Sequence, residues 1–369
     1  MSPVTQAKTS PLHLVHEAAG GRMVPFAGWK LPVRYGSILE EARAVRNAAG
    51  MFDVSHMART IVRGPDAMEV LQGLGTNDLS RIEPGKAQYT LWCTPDGGTI
   101  DDLIVFWMGG GVGSSSDDFL VVMNASRRDD DLEHLGSSAS GREVTIVDET
   151  EETAMLAVQG PTAREIVASL GASGVETMPR FGVVRTTVAG VGVTLSRTGY
   201  TGEDGVELIC DAGAGPRLFE SLREAGVMPA GLGARDALRM EMGYPLYGHE
   251  LSLDTSPLEA GVSFAVDLDE GREFIGRDAL VKQAEDGPPR TLVGFTCETP
   301  AVPMQGDAIG DGVVTSGGTS VVLGGPIGLA FVPTGTQLGS TTLHTRGKQI
   351  PCTFRKLPLI GKKSRKKAS

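Results

Sequence analysis

Two adjacent carboxylates, Asp101 and Asp102, are the residues of this sequence that point most directly to chemistry. They follow a Gly97-Gly98 turn and open the apolar run 103–107, which predicts a buried strand. Neighbouring side chains of a strand point to opposite faces, so at least one of the two acids is expected to face an apolar interior. Burying an unpaired carboxylate is costly, so we expect such an acid either in a structural pair or turn cap, or held in place for chemistry.

A further acid, Glu207, lies in a second strand-like run. The preceding segment 197–205 carries three glycines at three-residue intervals, which predicts an irregular hairpin turn. Glu207 follows this turn among the apolar residues of the run 206–209. A carboxylate in that setting can accept two hydrogen bonds from a planar donor such as an aminopyrimidine ring.

A candidate binding cation, Arg235, lies in the segment 231–236, just before the helical run 237–243. The segment lacks the third glycine of GxGxxG and follows no parallel-sheet unit, so a dinucleotide site is not expected. Arg235 would lie near a helix N-terminus, where the helix dipole disfavours a cation. Two interpretations are open: neutralisation by Asp236, or capture of a ligand carboxylate.

The histidines do not indicate a metal site or a hydrolase. None of the six forms HExxH or pairs with a cysteine at metal-ligand spacing, so no metal is expected. Ser55 and His56 are adjacent and could suggest nucleophilic chemistry. The surrounding sequence has no strained elbow and is typical of a core, which disfavours that function.

The elements that must position these residues belong to an α+β protein. Short β-rich runs alternate with helical patterns among 50 glycines, which favours largely antiparallel sheets. The segments 64–71 and 160–167 resemble each other, each with proline near a helix start after a β-like run. Two related strand-then-helix units would explain this, as would the general use of Gly-Pro at helix starts. After about residue 271, one short helix (277–284) and glycine-punctuated β runs predict a separate all-β domain.

Composition limits the class of protein. A chain of 369 residues with 40% hydrophobic content predicts two or three domains. No membrane-span-length apolar run and no secretory signal are visible, and the four widely spaced cysteines predict reduced thiols in an intracellular protein. The net charge of −11 argues against duplex nucleic acid as a partner. Five basic residues among the last eight predict a solvated tail, or alternatively attraction of an acidic partner, and the Gly/Ser-rich stretch 109–116 predicts a flexible hairpin loop.

Five segments, taken together and in order, resemble the aminomethyltransferase, or T-protein, family of the glycine cleavage system. They are MVPFAGW at 23–29, GMFDVSHM at 50–57, GGTIDDLIV at 97–105, RTGYTGE at 197–203 and GLGARD at 231–236. The resemblance extends from about residue 10 to 360. Each segment alone is modest evidence, but the combination is highly specific.

The resemblance implies a three-domain α+β cloverleaf with antiparallel sheets, an all-β, jelly-roll-like C-terminal domain and a central folate-binding channel. The expected domains are 1–50 plus 145–265 (folate-binding), 51–144 (carrying the catalytic aspartate) and 266–369 (β domain with the basic tail). The implied reaction transfers the methylene of an aminomethyl group on lipoyl H-protein to tetrahydrofolate. It releases ammonia and gives 5,10-methylenetetrahydrofolate and dihydrolipoyl protein. Lipoylated H-protein and folate are the implied partners, without metal, nucleic acid or membrane.

The resemblance also implies roles for individual residues. Asp102 matches the family's catalytic aspartate near the folate N10, which it would orient or activate while stabilising the positive charge of an iminium intermediate. Asp101 is then expected to face away and find a structural donor. The matching cofactor-binding positions are Tyr89 and Asn124 in the pocket, Tyr200 and Tyr244 as aromatic walls, Glu207 as acceptor of pterin N–H groups, and Arg235 as a ligand-binding arginine.

One departure and two competing functions accompany the resemblance. Phe106 stands where relatives often carry tyrosine, so a pocket hydroxyl is expected to be missing. A tetrahydrofolate-dependent demethylase of the same fold is one alternative. A non-enzymatic folate-binding protein is the other, although that branch carries a Lys-Gly-Cys motif where residues 243–250 here contain no cysteine. The expected compartment is the mitochondrial matrix in a eukaryote and the cytoplasm in a bacterium.

Overall fold

The computed structural model describes residues 7–109 and 117–361, so the predicted basic tail and most of the predicted Gly/Ser loop lie outside the described residues. The helices are α1 (His13–Ala18), α2 (Ile38–Asn47), α3 (Ala67–Leu74), α4 (Arg128–Ser138), α5 (Ala163–Ser169), α6 (Gly215–Glu224), α7 (Leu232–Met242) and α8 (Arg277–Asp286). The strands are β1 (Lys8–Thr9), β2 (Arg22–Phe26), β3 (Trp29–Arg34), β4 (Gly50–Asp53), β5 (Ala58–Arg63), β6 (Lys86–Cys93), β7 (Thr99–Trp107), β8 (Asp118–Met123), β9 (Thr145–Asp148), β10 (Thr153–Gln159), β11 (Val183–Val188), β12 (Val191–Ser196), β13 (Gly205–Asp211), β14 (Met228–Pro229), β15 (Arg290–Cys297), β16 (Ala308–Ile309), β17 (Gly312–Thr319), β18 (Pro326–Pro333), β19 (Gly339–Thr345) and β20 (Lys348–Arg355).

A six-stranded sheet has the order β11-β12-β13-β10-β4-β14, and a small sheet of β1, β3 and β2 precedes it in the chain. In the six-stranded sheet, neighbouring strands are antiparallel except β4 and β14, which are parallel. Leu195, Leu208 and Leu156 form one cross-strand row and are buried in a core with α5 and α6. Glu207 therefore belongs to the opposite face, where Ala157 is its cross-strand neighbour.

A five-stranded sheet has the order β6-β7-β8-β5-β9 and is antiparallel throughout. Leu103 and Val105 of β7 face one way, into a core with α3 and α4. Ile104 and Phe106 face the other way, into a different core. The two aspartates at the start of β7 alternate in the same manner.

The two sheets meet at a shared core, to which α2 and α7 also contribute. This core contains Ala157 from the six-stranded sheet and Val122 from the five-stranded sheet. The sheet face that bears Glu207 and the sheet face that bears Asp102 both point into this region. Acids that are far apart in sequence are thereby directed toward one another.

The two similar Gly-Pro segments have the same geometry in the structure. Gly64 joins β5 to α3 with φ of 132°, and Gly160 joins β10 to α5 with φ of 137°. A Cβ at Gly64 would lie 2.1 Å from the carbonyl oxygen of Glu143, and a Cβ at Gly160 would lie 2.2 Å from that of Ala48. Both turns need glycine for its conformation and for a close backbone approach, which supports the interpretation of two related strand-then-helix units.

The C-terminal part is all-β, as predicted, and closes into a six-stranded barrel of order β15-β18-β17-β16-β19-β20. The pairing of β20 with β15 closes it. Cys297 and Cys352 are opposite each other in this pair, with their Sγ atoms 3.2 Å apart and both thiols free. Their wide separation in the sequence gave no sign of this contact.

The barrel packs on α7, the helix that carries Arg235. Met240 of α7 lies in one buried cluster with Leu329 of the barrel. Arg239 is buried and donates hydrogen bonds to Glu250 Oε2 (2.8 Å) and Ser316 Oγ (2.7 Å). Helix α7 is thus fixed between the sheets and the barrel.

Helix α7 begins earlier than predicted. The sequence predicted a helical run over 237–243, whereas the helix starts at Leu232. The prediction was wrong because the glycines of the preceding segment read as a turn. They serve close packing instead: a Cβ at Gly231 would lie 2.4 Å from the backbone of Val33, and one at Gly233 would lie 2.5 Å from Ile38 Cδ1.

The α+β class with antiparallel sheets is confirmed, while the division into domains at 1–50 plus 145–265, 51–144 and 266–369 stays a prediction. Within residues 7–109 and 117–361, the structure contains no helix with the length and apolar character that crossing a membrane requires.

Candidate active site

A cavity of about 650 Å³ lies where the two sheets, α7 and the barrel meet. Its wall includes all seven residues that the sequence singled out: Tyr89, Asp102, Asn124, Tyr200, Glu207, Arg235 and Tyr244. Apolar residues such as Ile104, Val262 and Leu292 supply much of the remaining wall. The volume falls within the roughly 300–1,000 Å³ typical of small-molecule sites, and a few polar groups in an apolar wall are what such sites use to orient a ligand.

Asp102 projects from β7 into the cavity and is held from two sides. The hydroxyl of Tyr89 donates to Asp102 Oδ2 at 3.0 Å, and the amide Nδ2 of Asn124 donates to Asp102 Oδ1 at 2.8 Å. Burial raises the pKa of Asp102 to about 6, because it outweighs these hydrogen bonds, which favour the carboxylate. The group is therefore both oriented and poised to exchange a proton near neutral pH.

Asp101 faces the other side of the sheet and is fully buried. Its structural donor is Asn124, whose backbone N–H donates to Oδ2 at 2.9 Å and whose Nδ2 donates to Oδ1 at 2.8 Å. Burial, together with the nearby charge of Asp102, raises the pKa of Asp101 to about 7. Asn124 thus binds both aspartates at once.

Glu207 is a buried acceptor on the facing sheet. The Thr198 hydroxyl donates to Glu207 Oε2, and Ser196 Oγ lies 2.7 Å from Thr198 Oγ1. Desolvation raises the pKa of Glu207, opposed by the hydrogen bond from Thr198 and the charge of Arg235. A carboxylate with one oxygen held this way can still accept hydrogen bonds from a flat donor in the cavity.

Arg235 stacks on an aromatic wall. Its guanidinium carbon lies 4.7 Å from the ring centre of Tyr200, and the Tyr200 and Tyr244 rings are 5.7 Å apart. Of the two interpretations open for Arg235, neutralisation by Asp236 is supported only as a charge effect, since Asp236 Oδ1 forms its ion pair with Arg239 Nε at 2.8 Å. Desolvation lowers the pKa of Arg235, which remains a cation facing the cavity.

Three aromatic residues of the cavity wall, Phe181, Tyr247 and Phe264, were not predicted from the sequence. Phe264 stacks on Tyr89 at 5.8 Å and is 75% exposed at the cavity wall. Tyr247 also lines the cavity and packs against the guanidinium of Arg127 at 5.0 Å. Tyr247 belongs to the segment 243–250, of which only the lack of cysteine was considered in the sequence. Phe264 is an isolated aromatic residue, so no repeating pattern in the sequence marks it as part of a site.

Phe106, Ser55 and His56 lie outside the cavity wall. Phe106 is buried in the core between the sheets and is not part of the cavity wall, so its lack of a hydroxyl removes nothing from the site. Ser55 Oγ accepts a hydrogen bond from the backbone N–H of Met155, and Ser55 and His56 are both buried. Burial lowers the pKa of His56 to about 3. This pair is structural, in agreement with the argument against a hydrolase.

The donor set favours organic ligands. No group of three or more His, Cys, Asp or Glu side chains in the part of the chain that the structure describes could hold a metal ion. The cavity instead combines two carboxyls, one guanidinium and several aromatic rings. Such a set can bind a flat heterocycle through its edge and faces while a carboxylate handles a proton.

Family models match most of the chain. The GCVT N-terminal domain matches residues 12–270, and the glycine cleavage T-protein C-terminal barrel domain matches residues 290–360. The aminomethyltransferase of Rubrobacter xylanophilus is 45% identical over 361 residues, covering 96% of this chain and 95% of that protein. The aminomethyltransferase of Moorella thermoacetica is 44% identical over 362 residues, covering 95% and 97%.

A solved structure of an aminomethyltransferase has a similar fold. The crystal structure of glycine cleavage system aminomethyltransferase T from Bartonella henselae has a TM-score of 0.87 at 31% identity, covering 96% of this chain and 98% of that one. Sequence, fold and barrel therefore agree with the five motifs, and the chain belongs to the glycine cleavage T-protein family of aminomethyltransferases.

Proposed function

We propose that this enzyme transfers the methylene of an aminomethyl group from the lipoyl arm of H-protein to tetrahydrofolate. The observation that carries the proposal is that Asp102 and Glu207, from two different sheets, line one cavity with an aromatic wall. A substrate with a flat hydrogen-bonding heterocycle and a reacting nitrogen needs both kinds of group. Membership of the family supplies the reaction class.

Tetrahydrofolate fits the residues present. Its aminopyrimidine edge offers neighbouring N–H donors, and Glu207 offers a buried carboxylate as their acceptor. Tyr200 and Tyr244 offer ring faces for packing, and Arg235 offers a cation for a polar or anionic group. The acceptor, the ring faces and the cation thus match the chemical groups of tetrahydrofolate.

Asp102 is proposed to act on the reacting nitrogen. Its two oxygens are oriented by Tyr89 and Asn124, and both keep lone pairs for a nitrogen-bound proton. In the transfer, the carbon loses its bonds to the lipoyl sulfur and to the amine, and gains bonds to two folate nitrogens. The protons from those nitrogens end on the departing ammonia and on the lipoyl thiol. Asp102 can hold one of them in passage and stabilise positive charge that develops nearby.

The test supplies tetrahydrofolate and aminomethylated lipoyl H-protein and follows ammonia and 5,10-methylenetetrahydrofolate. We expect both products in equal amounts. Absence of turnover together with intact folate binding would overturn the proposal in favour of a demethylase or a binding protein. Since the relatives named above come from bacteria, we place the reaction in the cytoplasm.

A further inference from the structure

A third buried carboxyl lies behind the proposed catalytic pair. Asp131 is in the first turn of α4 and is 0% exposed, as is Leu135 one turn later, so this face of the helix packs on the sheet. Among the described residues, none donates a hydrogen bond to either carboxylate oxygen of Asp131. Its carboxyl group is instead within hydrogen-bonding reach of the carboxyl of Asp101.

The neighbouring cation does not neutralise this acid. Arg127 forms its ion pair with Asp130, with Nη1 and Oδ2 2.6 Å apart, and donates from Nε to the carbonyl of Ile100 at 2.9 Å. Two buried carboxyls in contact without a bound cation cannot both be ionised. One of the two must keep a proton and donate it to the other.

The hydrogen bonds show which carboxyl keeps the proton. Asp101 already accepts two N–H groups from Asn124, so it is the acceptor that is stabilised as an anion. Asp131 has no such donors, and burial with the charge of Asp101 raises its pKa to about 10. The proton therefore resides on Asp131 at neutral pH.

We propose that Asp131 is a positioning residue that stays protonated and donates its hydrogen bond to Asp101, so that Asp101 and Asn124 together hold Asp102 in place. The path runs from the Asp131 hydroxyl to Asp101, from Asp101 to Asn124, and from Asn124 Nδ2 to Asp102 Oδ1 at 2.8 Å. This inference rests on the proposed function, because Asp102 is the group that it serves.

The nearby charge of Asp102 raises the proton affinity of Asp101. The titratable and charged groups around the three acids are Tyr89 of β6, Arg127 and Asp130 at the start of α4, and Tyr200 and Tyr247 of the cavity wall. An anionic Asp101 repels an anionic Asp102, and this repulsion is mutual. The hydrogen bond from Asp131 opposes this effect, so its loss would raise the pKa of Asp101. Asp101 would then stay protonated, and hold Asn124 less firmly, up to a higher pH.

Two variants of Asp131 distinguish the effect of its donated hydrogen bond from the effect of its carboxyl group as such. Asp131→Asn keeps a neutral donor toward Asp101 and should keep turnover within about 3-fold of the wild type, with the same pH profile. Asp131→Leu removes the donor and should lower kcat by roughly 10-fold or more, a scale typical of misplaced catalytic geometry, and move the acidic limb of the profile to higher pH. Asp129→Asn, an exposed position of the same helix, is the matched control and should change neither.

The protonation state itself can be measured without any activity. With aspartate carrying a ¹³C-labelled carboxyl group, the resonance that disappears in Asp131→Asn should be that of a protonated acid at neutral pH. If the lost resonance is that of an ionised carboxylate, or if Asp131→Leu keeps the wild-type pH profile, the inference is overturned. Failure of the proposed reaction would leave the resonance of Asp131 unchanged, so the two failures can be told apart.

Discussion

Asp102 and Glu207 lie on different sheets, and both side chains enter the cavity because each sheet turns the corresponding face toward the shared core. In β7 the cavity face carries Asp102 and Ile104, whereas in β13 it is the face opposite Leu208. The site thus depends on the packing of two sheets. A change in register of either strand by one residue would remove its acid from the cavity.

Glu207→Gln should weaken tetrahydrofolate binding by roughly 10- to 100-fold, since a hydrogen bond to a charged group contributes about 1.5–3 kcal/mol. The amide also places a donor against the ligand's own N–H groups. Calorimetric titration with tetrahydrofolate measures the change, and Glu165→Gln, at an exposed position of α5, is the control. An unchanged Kd would remove Glu207 from the binding site.

Turnover should depend on pH through the carboxylate of Asp102. Its pKa is raised to about 6 and that of its partner Asp101 to about 7, so the active ionised form is lost as the pH falls through this range. We expect kcat to reach a plateau above about pH 7 and to decline below about pH 6.

The variant Tyr89→Phe tests independently whether the pKa of Asp102 sets the acidic limb of the pH profile. The Tyr89 hydroxyl stabilises the ionised form of Asp102, so its removal should raise the pKa of Asp102 and move the limb to higher pH. Asp131→Leu should move the limb in the same direction, but by raising the pKa of Asp101. A flat profile, or a shift to lower pH in Tyr89→Phe, would show that the ionisation of Asp102 does not set the acidic limb.

Stability at low pH should depend on Asp53, which lies outside the cavity wall. It accepts hydrogen bonds from His16 Nε2 at 2.7 Å, Ser10 Oγ at 2.5 Å and the backbone N–H of Ser55 at 2.9 Å. Burial opposes ionisation, yet these partners outweigh it and lower the pKa of Asp53 from 3.8 to about 2. The resulting stabilisation is present above pH 3.8 and is lost as the pH falls toward about 2.

The free energy of unfolding should fall by about 2 kcal/mol over this range, because the pKa of Asp53 is lowered from 3.8 to about 2 in the folded protein. Denaturant unfolding between about pH 5 and pH 2.5 measures it for the wild type and for Asp53→Asn. The difference between the two should shrink as the pH falls. A difference that stays constant would mean that Asp53 is not ionised in the folded protein.

Local patterns in the sequence were sufficient for the class of fold and for several elements. Alternation in β7 predicted that Asp101 and Asp102 face opposite ways, but both faces of that strand are apolar, so alternation alone could not say which acid meets the ligand. The resemblance to a known family is what assigned Asp102 to the ligand and Asp101 to a structural donor. The structure shows α4 behind Asp101 and the cavity in front of Asp102.

Other parts of the site needed tertiary structure. Asp131 is one of three consecutive aspartates at the start of a polar helix, and nothing in that run distinguishes the buried acid from its exposed neighbours. The early start of α7 was hidden because glycines that allow close packing look like turn residues in a sequence. Both features depend on what packs against the residue, which one chain segment cannot reveal.

We propose that Asp102 acts in the chemistry and not in holding the folate. Asp102→Asn keeps the shape of the side chain and its contact with Tyr89, but it cannot accept a proton. The most direct measurement compares kcat and the Kd for tetrahydrofolate in this variant and the wild type. We predict a loss of kcat of roughly 10²-fold or more with a Kd within about 3-fold of the wild type, the scale of a positioned proton-transfer or electrostatic group. Near-normal turnover, or a loss of folate binding that accounts for the whole defect, would contradict the claim.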